Sequence, residues 1–354
     1  MKWSEVALGE VAELKYGKSL PASVRLPGET PVYGSNGRVG SHSLPLTAGQ
    51  TIIVGRKGSL GEVHFSPNPC WPIDTTYYID QCSTTVDLRW LSYRLAGLGL
   101  KELNRAAAIP GLNREDAYRQ NFLLPPLDEQ RRIAAMLDHA DDLKAKQLKV
   151  LTHLEEAKSS YFFALTRKAD WSSAPIGSLG VIKTGKTPPT ALEGMFGGDV
   201  PFLTPGDLGS DRRPARTVTD EGAMQSQVVR AGATLVCCIG ATIGKVGVAK
   251  QRATFNQQIN AVEWGPQVLD EYGHQALRGM RTQIVSRGAS TTMPILSKSK
   301  FSSLEVPVPP LAVQQSFSLV ASAIEERKSV RRRALKQSHE LFASLQARAF
   351  RGEL

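Results

Sequence analysis

Apolar residues recur in alternating steps of three and four along two stretches of this chain, residues 128–166 and 313–350. This spacing is the heptad pattern of a helix that packs along one stripe against a partner helix. The stripe of the first stretch comprises Ile133, Met136, Ala140, Leu143, Gln147, Val150, Leu154, Ala157, Tyr161 and Ala164. The weaker stripe of the second stretch comprises Phe317, Val320, Ile324, Arg327, Arg331, Ala334, Ser338, Leu341, Leu345 and Arg348. The pattern predicts two long helices, the first of them roughly 58 Å long.

A different pattern precedes each predicted helix, with short apolar runs between stretches rich in glycine, proline and polar residues. Residues 51–54, 76–79, 234–237 and 245–248 have the composition of short strands. We therefore predict a mixed α/β (α+β) fold made of four segments. They are a first domain at 1–124, a first long helix at 125–168, a second domain at 169–308 and a second long helix at 309–354.

The two halves of the chain are copies of one another. A Lys-x-Gly-Lys turn occurs at 15–18 and 183–186, at an offset of 168. A Pro-Pro-Leu junction followed by a glutamine occurs at 125–130 and 309–314, at an offset of 184. A period this long exceeds the roughly 20 to 50 residues of a solenoid unit, so the chain is a duplicated half-protein. We expect two domains related by the internal repeat, joined by two long antiparallel coiled-coil helices, with two related binding surfaces.

The charge of the chain indicates an anionic partner. The net charge is +10, the isoelectric point is near 9.5, and residues 171–354 carry +8 of the charge. This balance favours nucleic acid as the partner, although a soluble protein can be basic without one. The basic run at 327–336 leaves three interpretations open: packing on the acidic first helix, contact with DNA or a partner protein, or a solvated face.

The cysteines and the N-terminal segment bear on the compartment. Cys70, Cys82, Cys237 and Cys238 show no zinc spacing, and we expect free thiols in a reducing cytoplasm. The N-terminal segment has no apolar leader, and no stretch reaches the length of a membrane span. We therefore expect a cytoplasmic protein that makes no membrane contact.

Residues 180–187 match the P-loop pattern G-x-x-x-x-G-K-[ST], which would predict an ATP site. That chemistry requires a helix to begin at the loop, whereas Pro188 and Pro189 follow at once. A recurrent Lys-x-Gly-Lys turn explains the match better. The glycine-rich stretches at 55–61 and 240–247 are interpreted either as plain turns between strands or as turns that contact DNA.

Catalytic groupings are missing from the sequence pattern. The six histidines have neither metal nor triad spacing, and there is no methyltransferase tetrapeptide or nuclease carboxylate cluster. We therefore predict a chain that reads DNA, is not an enzyme, and binds no metal or cofactor itself.

Taken together, these motifs resemble those of the specificity (S) subunits of type I restriction–modification systems, over essentially the whole chain. The junction Pro125-Pro126-Leu127-Asp128-Glu129-Gln130-Arg131-Arg132-Ile133 matches the pattern P-P-L-x-E-Q-x-x-I. The stretches 31–36 and 55–61 and the ending Ala-Phe-Arg-Gly-Glu-Leu at 349–354 also match. One departure is the second junction, where Ala312 and Val313 stand in place of an acidic pair, so the two helices need not be equivalent.

This resemblance implies a division of labour between subunits. Each domain would read one half of a split, asymmetric site in double-stranded DNA, and the helices would fix the spacer between the halves. The helices would also hold two methyltransferase (M) subunits, which bind S-adenosylmethionine, and restriction (R) subunits, which use ATP and Mg²⁺, would join them. The alternatives are a stand-alone DNA-binding or coiled-coil scaffold protein and a P-loop NTPase.

Candidate DNA contacts follow from residue types that bind base edges or phosphates from loops. In the first domain they are Tyr33, Ser35, Asn36, Arg38, Arg56, Lys57, Ser59, Arg105, Asn113 and Arg114. In the second domain they are Thr204, Asp207, Arg212, Arg213, Lys245, Arg287, Ser290, Thr291 and Thr292. We expect base contacts to concentrate at residues 32–38 and 287–293.

Overall fold

The computed structural model describes residues 3–103, 111–167, 171–210, 213–288 and 293–354. The chain divides into two compact units, Met1–Leu148 with Arg333–Leu354 and Lys149–Arg332. Each unit thus holds one α/β domain and part of each long helix. The predicted division into four segments follows the type of element instead, and it stays a prediction.

The first unit contains short strands and helices before the first long helix. Its strands are β1 Ser4–Ala7, β2 Lys15–Tyr16, β3 Thr30–Gly34, β4 Gly37–His42, β5 Thr51–Gly55, β6 Val63–Ser66, β7 Trp71–Pro72, β8 Thr76–Asp80 and β9 Asn121–Leu124. Its helices are α1 Leu8–Val11, α2 Leu88–Ala96 and α3 Arg114–Tyr118, followed by α4 Leu127–Arg167. Single 3-10 turns lie at Ala22–Val24, Gln81–Ser83 and Leu100–Glu102.

An antiparallel sheet in the order β2-β8-β5-β6 forms the centre of this unit. Strand β5, at the position predicted for a short strand, lies between two neighbours, and its apolar run is buried along its whole length. Ile52, Val54 and Ile79 from the sheet pack in one core with Trp90 and Leu91 of α2. A second sheet has the order β4-β3-β7, and β1 pairs with β9.

The second unit repeats this arrangement. Its strands are β10 Ser173–Pro175, β11 Gly180–Thr184, β12 Phe196–Leu203, β13 Thr217–Val218, β14 Val228–Val229, β15 Thr234–Cys237, β16 Val246–Val248, β17 Ala253–Phe255, β18 Ile259–Trp264 and β19 Glu305–Pro307. Its helices are α5 Ile176–Leu179, α6 Asp220–Met224, α7 Asp270–Gly279, α8 Arg281–Gly288 and α9 Lys298–Ser302, followed by α10 Leu311–Phe350. The central antiparallel sheet has the order β11-β18-β15-β16, and a mixed sheet has the order β13-β12-β17-β14.

The repeated glutamine after each Pro-Pro-Leu junction joins the long helix to its domain. The side chain of Gln130 accepts a hydrogen bond from the Asp87 amide at 2.8 Å and donates one to the Pro125 carbonyl at 2.8 Å. Gln314 accepts from the Leu269 amide and donates to the carbonyls of Pro309 and Gln267, each at 2.9 Å. Both side chains are buried, so these bonds fix where α4 meets α2 and where α10 meets α7.

Segments of α4 and α10 run antiparallel within each unit, as predicted. In the first unit the Lys144 ammonium lies 3.7 Å from the centre of the Phe342 ring. In the second unit Lys158 contacts Glu325 at 2.7 Å, and Lys328 donates to the carboxylate of Glu155. Lys328, from the basic run, is therefore buried against the first helix, whereas Arg327 and Arg331 are exposed.

The predicted heptad stripe is only partly correct. Ala157 and Ala164 are exposed, while Lys158 and Phe162 are buried in their place. On the second helix the stripe is wrong at the exposed positions Arg327, Arg331, Leu341 and Arg348. The physical reason is a second packing partner, since Phe162 contacts Tyr272 of α7 as well as Phe317 of α10. Within the described ranges, no helix combines the length and apolar content needed to cross a membrane.

Candidate nucleic-acid interface

Loops at the strand ends of the first unit bring many of the predicted DNA contacts together. The hairpin β3–β4 has Ser35 and Asn36 at its tip, and the Ser35 carbonyl lies 3.4 Å from the His64 ring nitrogen. The β5–β6 turn lies beside this tip, because a Cβ built on Gly58 would sit 3.5 Å from the Ser35 hydroxyl. We call the resulting surface the first loop face, and it comprises Tyr16, Ser35, Asn36, Arg56, Lys57, Ser59 and Arg114.

Backbone hydrogen bonds hold the β5–β6 turn in the first loop face. The amides of Arg56 and Lys57 both donate to the Thr75 carbonyl, at 2.9 and 3.1 Å. The Leu112 amide donates to the Arg56 carbonyl at 2.9 Å, which places the start of α3 next to the turn. Lys57 is exposed at the surface and Ser59 is half-buried, so the backbone is fixed while the polar side chains remain accessible.

Two guanidinium groups flank Tyr16 on this face. The centre of the Tyr16 ring lies 5.2 Å from Cζ of Arg56 and 5.4 Å from Cζ of Arg114. Both distances are within the range of cation–π attraction. Arg56 is also anchored through a 2.6 Å hydrogen bond from Nη2 to the Asp74 carbonyl. The cations are thus held in place by an aromatic ring that is itself 51% exposed.

Tyr77 supports Tyr16 from the neighbouring strand. The two are cross-strand partners, and their ring centres lie 5.1 Å apart. Burial of the Tyr77 hydroxyl raises its pKa to about 12, and a hydrogen bond with Tyr16 acts in the same direction. The phenol therefore stays protonated and donates to the Leu112 carbonyl at 3.1 Å.

The other predicted contacts of the first domain have different surroundings. Tyr33 and Arg38 line a groove of about 980 Å³ together with Arg89 and Lys144. Asn113 caps α3, because its side-chain oxygen accepts from the Glu115 amide at 2.8 Å. Arg105 lies outside the described residues.

In the second unit, the end of β11 with the segment after it and the turn between β17 and β18 carry amide and hydroxyl groups. Thr184 donates to the Asn260 side chain at 2.7 Å, and Thr187 donates to Gln257 at 2.9 Å. Asn256 and Gln258 bond to each other within the same β17–β18 turn. We call this surface the second loop face, and it comprises Thr184, Thr187, Asn256, Gln257 and Gln258.

The predicted contacts of the second domain are not gathered on that face. Asp207 accepts bonds from the Thr204 amide and hydroxyl, and Lys245 donates to the Pro205 carbonyl, so all three brace one loop. Arg213 is exposed at the surface, and Arg287 lines a groove of about 500 Å³ beside α4. Arg212, Ser290, Thr291 and Thr292 lie outside the described residues.

The structure adds Tyr16 and the second loop face to the candidate contacts named from the sequence. A signal for both was present in the repeat. Tyr16 and Thr184 occupy the variable position of the shared Lys-x-Gly-Lys turn, and the polar run Asn256-Gln257-Gln258 separates two apolar strands. A residue that varies inside an otherwise repeated turn is a candidate for recognition.

The P-loop interpretation does not fit the structure. Residues 180–184 form β11, and residues 185–195 contain no helix that could direct its amides at a phosphate. The stretch 55–61 is the turn between β5 and β6, and 240–244 is the corresponding turn before β16. Over the described part of the chain, no group of three or more His, Cys, Asp or Glu residues is placed to hold a metal ion.

The fold and its two loop faces define a duplicated α/β protein with one polar surface on each copy. Residues 1–153 and 168–320 each match the family described as Type I restriction modification DNA specificity domain. The chain therefore belongs to this family and carries two copies of its domain.

Similar proteins agree with this assignment. The type I restriction enzyme MjaIX specificity subunit of Methanocaldococcus jannaschii is 28% identical over 185 residues. The match covers 49% of this chain and 43% of that relative, so the chain spans less than half of the relative's length.

Two solved structures share the fold at 16% identity. The S subunit of a Type-I restriction-modification system from M. genitalium has a TM-score of 0.63, with 98% of this chain and 96% of that chain covered. A chain from a structure concerned with complex assembly and conformational transition of the type I R-M system has a TM-score of 0.57, with 100% and 98% covered.

Proposed function

We propose that this chain is the DNA-recognition subunit of a type I restriction–modification complex and that it reads a two-part, asymmetric DNA site. Each loop face would read one half of the site, and the long helices would fix the number of base pairs between the halves. The chain itself would be non-catalytic. The observation that carries this proposal is the contrast between a repeated frame and two chemically different loop faces.

The chemistry of the first loop face suits duplex DNA. Arginine presents a fork of donors that matches guanine O6 and N7 in the major groove, and Arg56 and Arg114 offer two such forks. Lysine side chains and backbone amides suit phosphates, which give affinity without sequence information. Lys18, Lys57 and Lys186 are exposed and available for this role.

The second loop face offers a different set of partners. Asparagine and glutamine side chains pair with adenine N6 and N7, and threonine bonds to either kind of base. Because the two faces differ, the two half-sites should differ as well. The whole site should therefore be non-palindromic, unlike the site of a symmetric dimer.

The partners belong to this proposal. Two M subunits would dock on the chain, bind S-adenosylmethionine and methylate adenine, and R subunits would join with ATP and Mg²⁺ to translocate and cleave. The exposed flanks of α4 and α10, including Arg327 and Arg331, are available for such docking.

The test is a comparison of genomic methylation with and without this gene, together with copurification of the chain with a methyltransferase encoded beside it. The expected result is a methylated motif of two different short sequences, separated by a fixed spacer, that disappears on deletion. An unchanged methylome, or a chain that copurifies with no methyltransferase, would overturn the proposal and favour a stand-alone DNA-binding protein.

A further inference from the structure

The Lys-x-Gly-Lys turns at residues 15–18 and 183–186 share their structural groups. Lys15 pairs with Asp80 at 3.2 Å, and Lys183 pairs with Glu263 at 2.9 Å. A Cβ on Gly17 would lie 2.1 Å from the Ile73 carbonyl oxygen, and one on Gly185 would lie 2.0 Å from that of Asn256. Each glycine is therefore required by the same close approach of two backbones.

The backbone after each glycine is fixed in the same way. The Gly17 and Lys18 amides donate to the carbonyls of Thr76 and Pro72, and the Gly185 and Lys186 amides donate to those of Ile259 and Phe255. The variable position between the first lysine and the glycine is thus held at equivalent places in the two domains. Whatever side chain stands there projects from the same point of the fold.

The side chains at this point differ as a pair. In the first domain Tyr16 is the cross-strand partner of Tyr77, and in the second Thr184 is the cross-strand partner of Asn260. An aromatic pair has therefore been exchanged for a hydroxyl–amide pair while the surrounding frame has stayed constant. Tyr16 and Thr184 are both exposed, so the exchange alters the surface and not only the core.

The exchange also changes what lies beside the pair. Tyr16 is flanked by Arg56 and Arg114. In the second domain Cys238 takes the backbone position of Arg56, and Lys298, which follows the capping Ser297, takes the position of Arg114, which follows the capping Asn113. A residue that touches only phosphates has no reason to differ between the copies, since phosphates are the same in every sequence. Lys18 and Lys186, shared and exposed, fit that phosphate role. The divergent pair fits base readout.

We propose that Tyr16 is a positioning residue for specificity, which holds Arg56 and Arg114 against guanine-containing base pairs of the half-site read by the first domain. This inference rests on the proposed function. Thr184 is its counterpart in the second domain and acts on the other half-site. The ring restricts both guanidinium groups before DNA arrives, which lowers the entropic cost of a bidentate contact.

The experiment uses the complete complex of this chain with its methyltransferase, with the methylated motif read by sequencing of genomic DNA. For Tyr16→Thr we expect the preference for guanine in one half-site to fall about tenfold, the value of one weakened bidentate contact. The other half-site should be unchanged. Tyr16→Phe keeps the ring and should keep the motif.

Two matched controls separate the possible roles. Thr184→Val should relax only the half-site that Tyr16→Thr leaves intact. Lys18→Ala should lower methylation at all sites without changing the motif, as expected for a phosphate contact. A Tyr16→Thr complex with the wild-type motif, or with relaxation in the half-site that Thr184→Val also relaxes, overturns the inference.

If Tyr16→Thr abolishes methylation, its motif cannot be read, and Arg56→Lys and Arg114→Lys test the inference instead. These variants keep the charge and remove the forked donor group of arginine. Relaxation of guanine positions in one half-site by these variants supports the inference, and an unchanged motif overturns it. Failure of the proposed function would look different, because the wild-type complex would then show no two-part motif.

Discussion

The two α/β units differ where each domain meets its pair of long-helix segments. In the first unit Lys144 pairs with Asp141 at 2.6 Å and lies over the Phe342 ring. In the second unit the corresponding Lys328 pairs with Glu325 at 2.8 Å and also contacts Glu155.

The helices α2 and α7, which occupy equivalent positions in the two domains, also carry different side chains. His274 and Arg278 of α7 line a groove of about 670 Å³ in the second unit, at the places where Ser92 and Ala96 of α2 line the 980 Å³ groove of the first unit. Gln130 and Gln314, by contrast, make the same kind of bond to the backbone in both units. The comparison teaches that these glutamine-to-backbone bonds have been kept, while the side-chain pairs around Lys144 and Lys328 have diverged together.

The largest expected effect is a loss of stability on substitution of Glu155, since no equivalent ion cluster occurs among the described residues of the first unit. Glu155 accepts from Lys328 and Arg278 and is 26% exposed, so Glu155→Gln leaves the buried Lys328 and the half-buried Arg278 with fewer partners. We expect the second unit to lose about 4 kcal/mol of unfolding free energy, the usual cost of breaking a buried ion pair. Hydrogen exchange of peptides from α7 and α10 measures this loss.

The control for this substitution is Asp141→Asn in the first unit. Asp141 is 47% exposed, and an exposed ion pair contributes about 0.5 kcal/mol. Equal effects of the two substitutions would show that the charge cluster of the second unit is no more important than a surface pair.

The repeated glutamines test the shared part of the frame. Gln314→Leu removes partners from the Leu269 amide and from the carbonyls of Pro309 and Gln267, and we expect a loss of about 3 kcal/mol. Gln130→Leu removes partners from one amide and one carbonyl, with an expected loss of about 2 kcal/mol. Exchange rates of the Asp87 and Leu269 amides report each loss locally. A substitution that leaves its own amide protected would contradict the role of the glutamine.

Acid should affect the second unit more than the first. Burial lowers the pKa of His274 to about 4, and its Nδ1 is buried with no partner in the described part of the chain. Because an unfolded histidine binds its proton near pH 6.5, stability is present above that pH and is lost as the pH falls toward 4.

For Glu155, burial opposes ionisation, but the hydrogen bonds from Lys328 and Arg278 outweigh it and lower the pKa to about 2. The stability that Glu155 contributes is lost at lower pH, between about 4.5 and 2. Burial raises the pKa of Glu271, so protonation of that group stabilises the folded protein as the pH falls. We expect a net loss of about 2 kcal/mol between pH 6.5 and 4, measured by urea unfolding. His274→Gln should flatten the profile over that window, and an unchanged profile would assign the loss to other groups.

The sequence predicts the frame better than the loop faces, for a physical reason. Buried strands such as β5 and the long helices appear in the sequence as runs or periodic patterns of apolar residues. Each pattern occurs twice because the chain is a repeat. The stripe on α4 was misplaced at Ala157 because the heptad pattern assumes one packing partner, whereas Phe162 contacts both α7 and α10.

The loop faces depend on which turns meet, and composition does not encode that meeting. Thr204, Asp207 and Lys245 brace a loop and Asn113 caps a helix, which their residue types alone did not predict, and their contact with DNA stays a prediction. Tyr16 is the opposite case, because its place in a short strand gave no sign of a site. Only the fold brings Arg56 and Arg114 next to its ring.

The smallest expected effect concerns the ion pairs of the Lys-x-Gly-Lys turns. Burial opposes ionisation of Asp80, but hydrogen bonds from Ser83 and Lys15 lower its pKa. For Glu263, burial is likewise outweighed by the Arg230 amide and Lys183. Double-mutant cycles of Lys15→Met with Asp80→Asn, and of Lys183→Met with Glu263→Gln, should each give a coupling of about 1 kcal/mol at neutral pH.

Both couplings should share one pH dependence. A carboxyl group whose pKa is lowered on folding stabilises the protein above its unfolded pKa, near 4, and loses that contribution as the pH falls further. The cycles measured at pH 3 should therefore give smaller couplings than those at pH 7. Because the two pairs hold the same position of the repeat, a coupling found in only one domain would mean that the turn is held differently in the two copies. The comparison of Tyr16 with Thr184 would then lose its common frame.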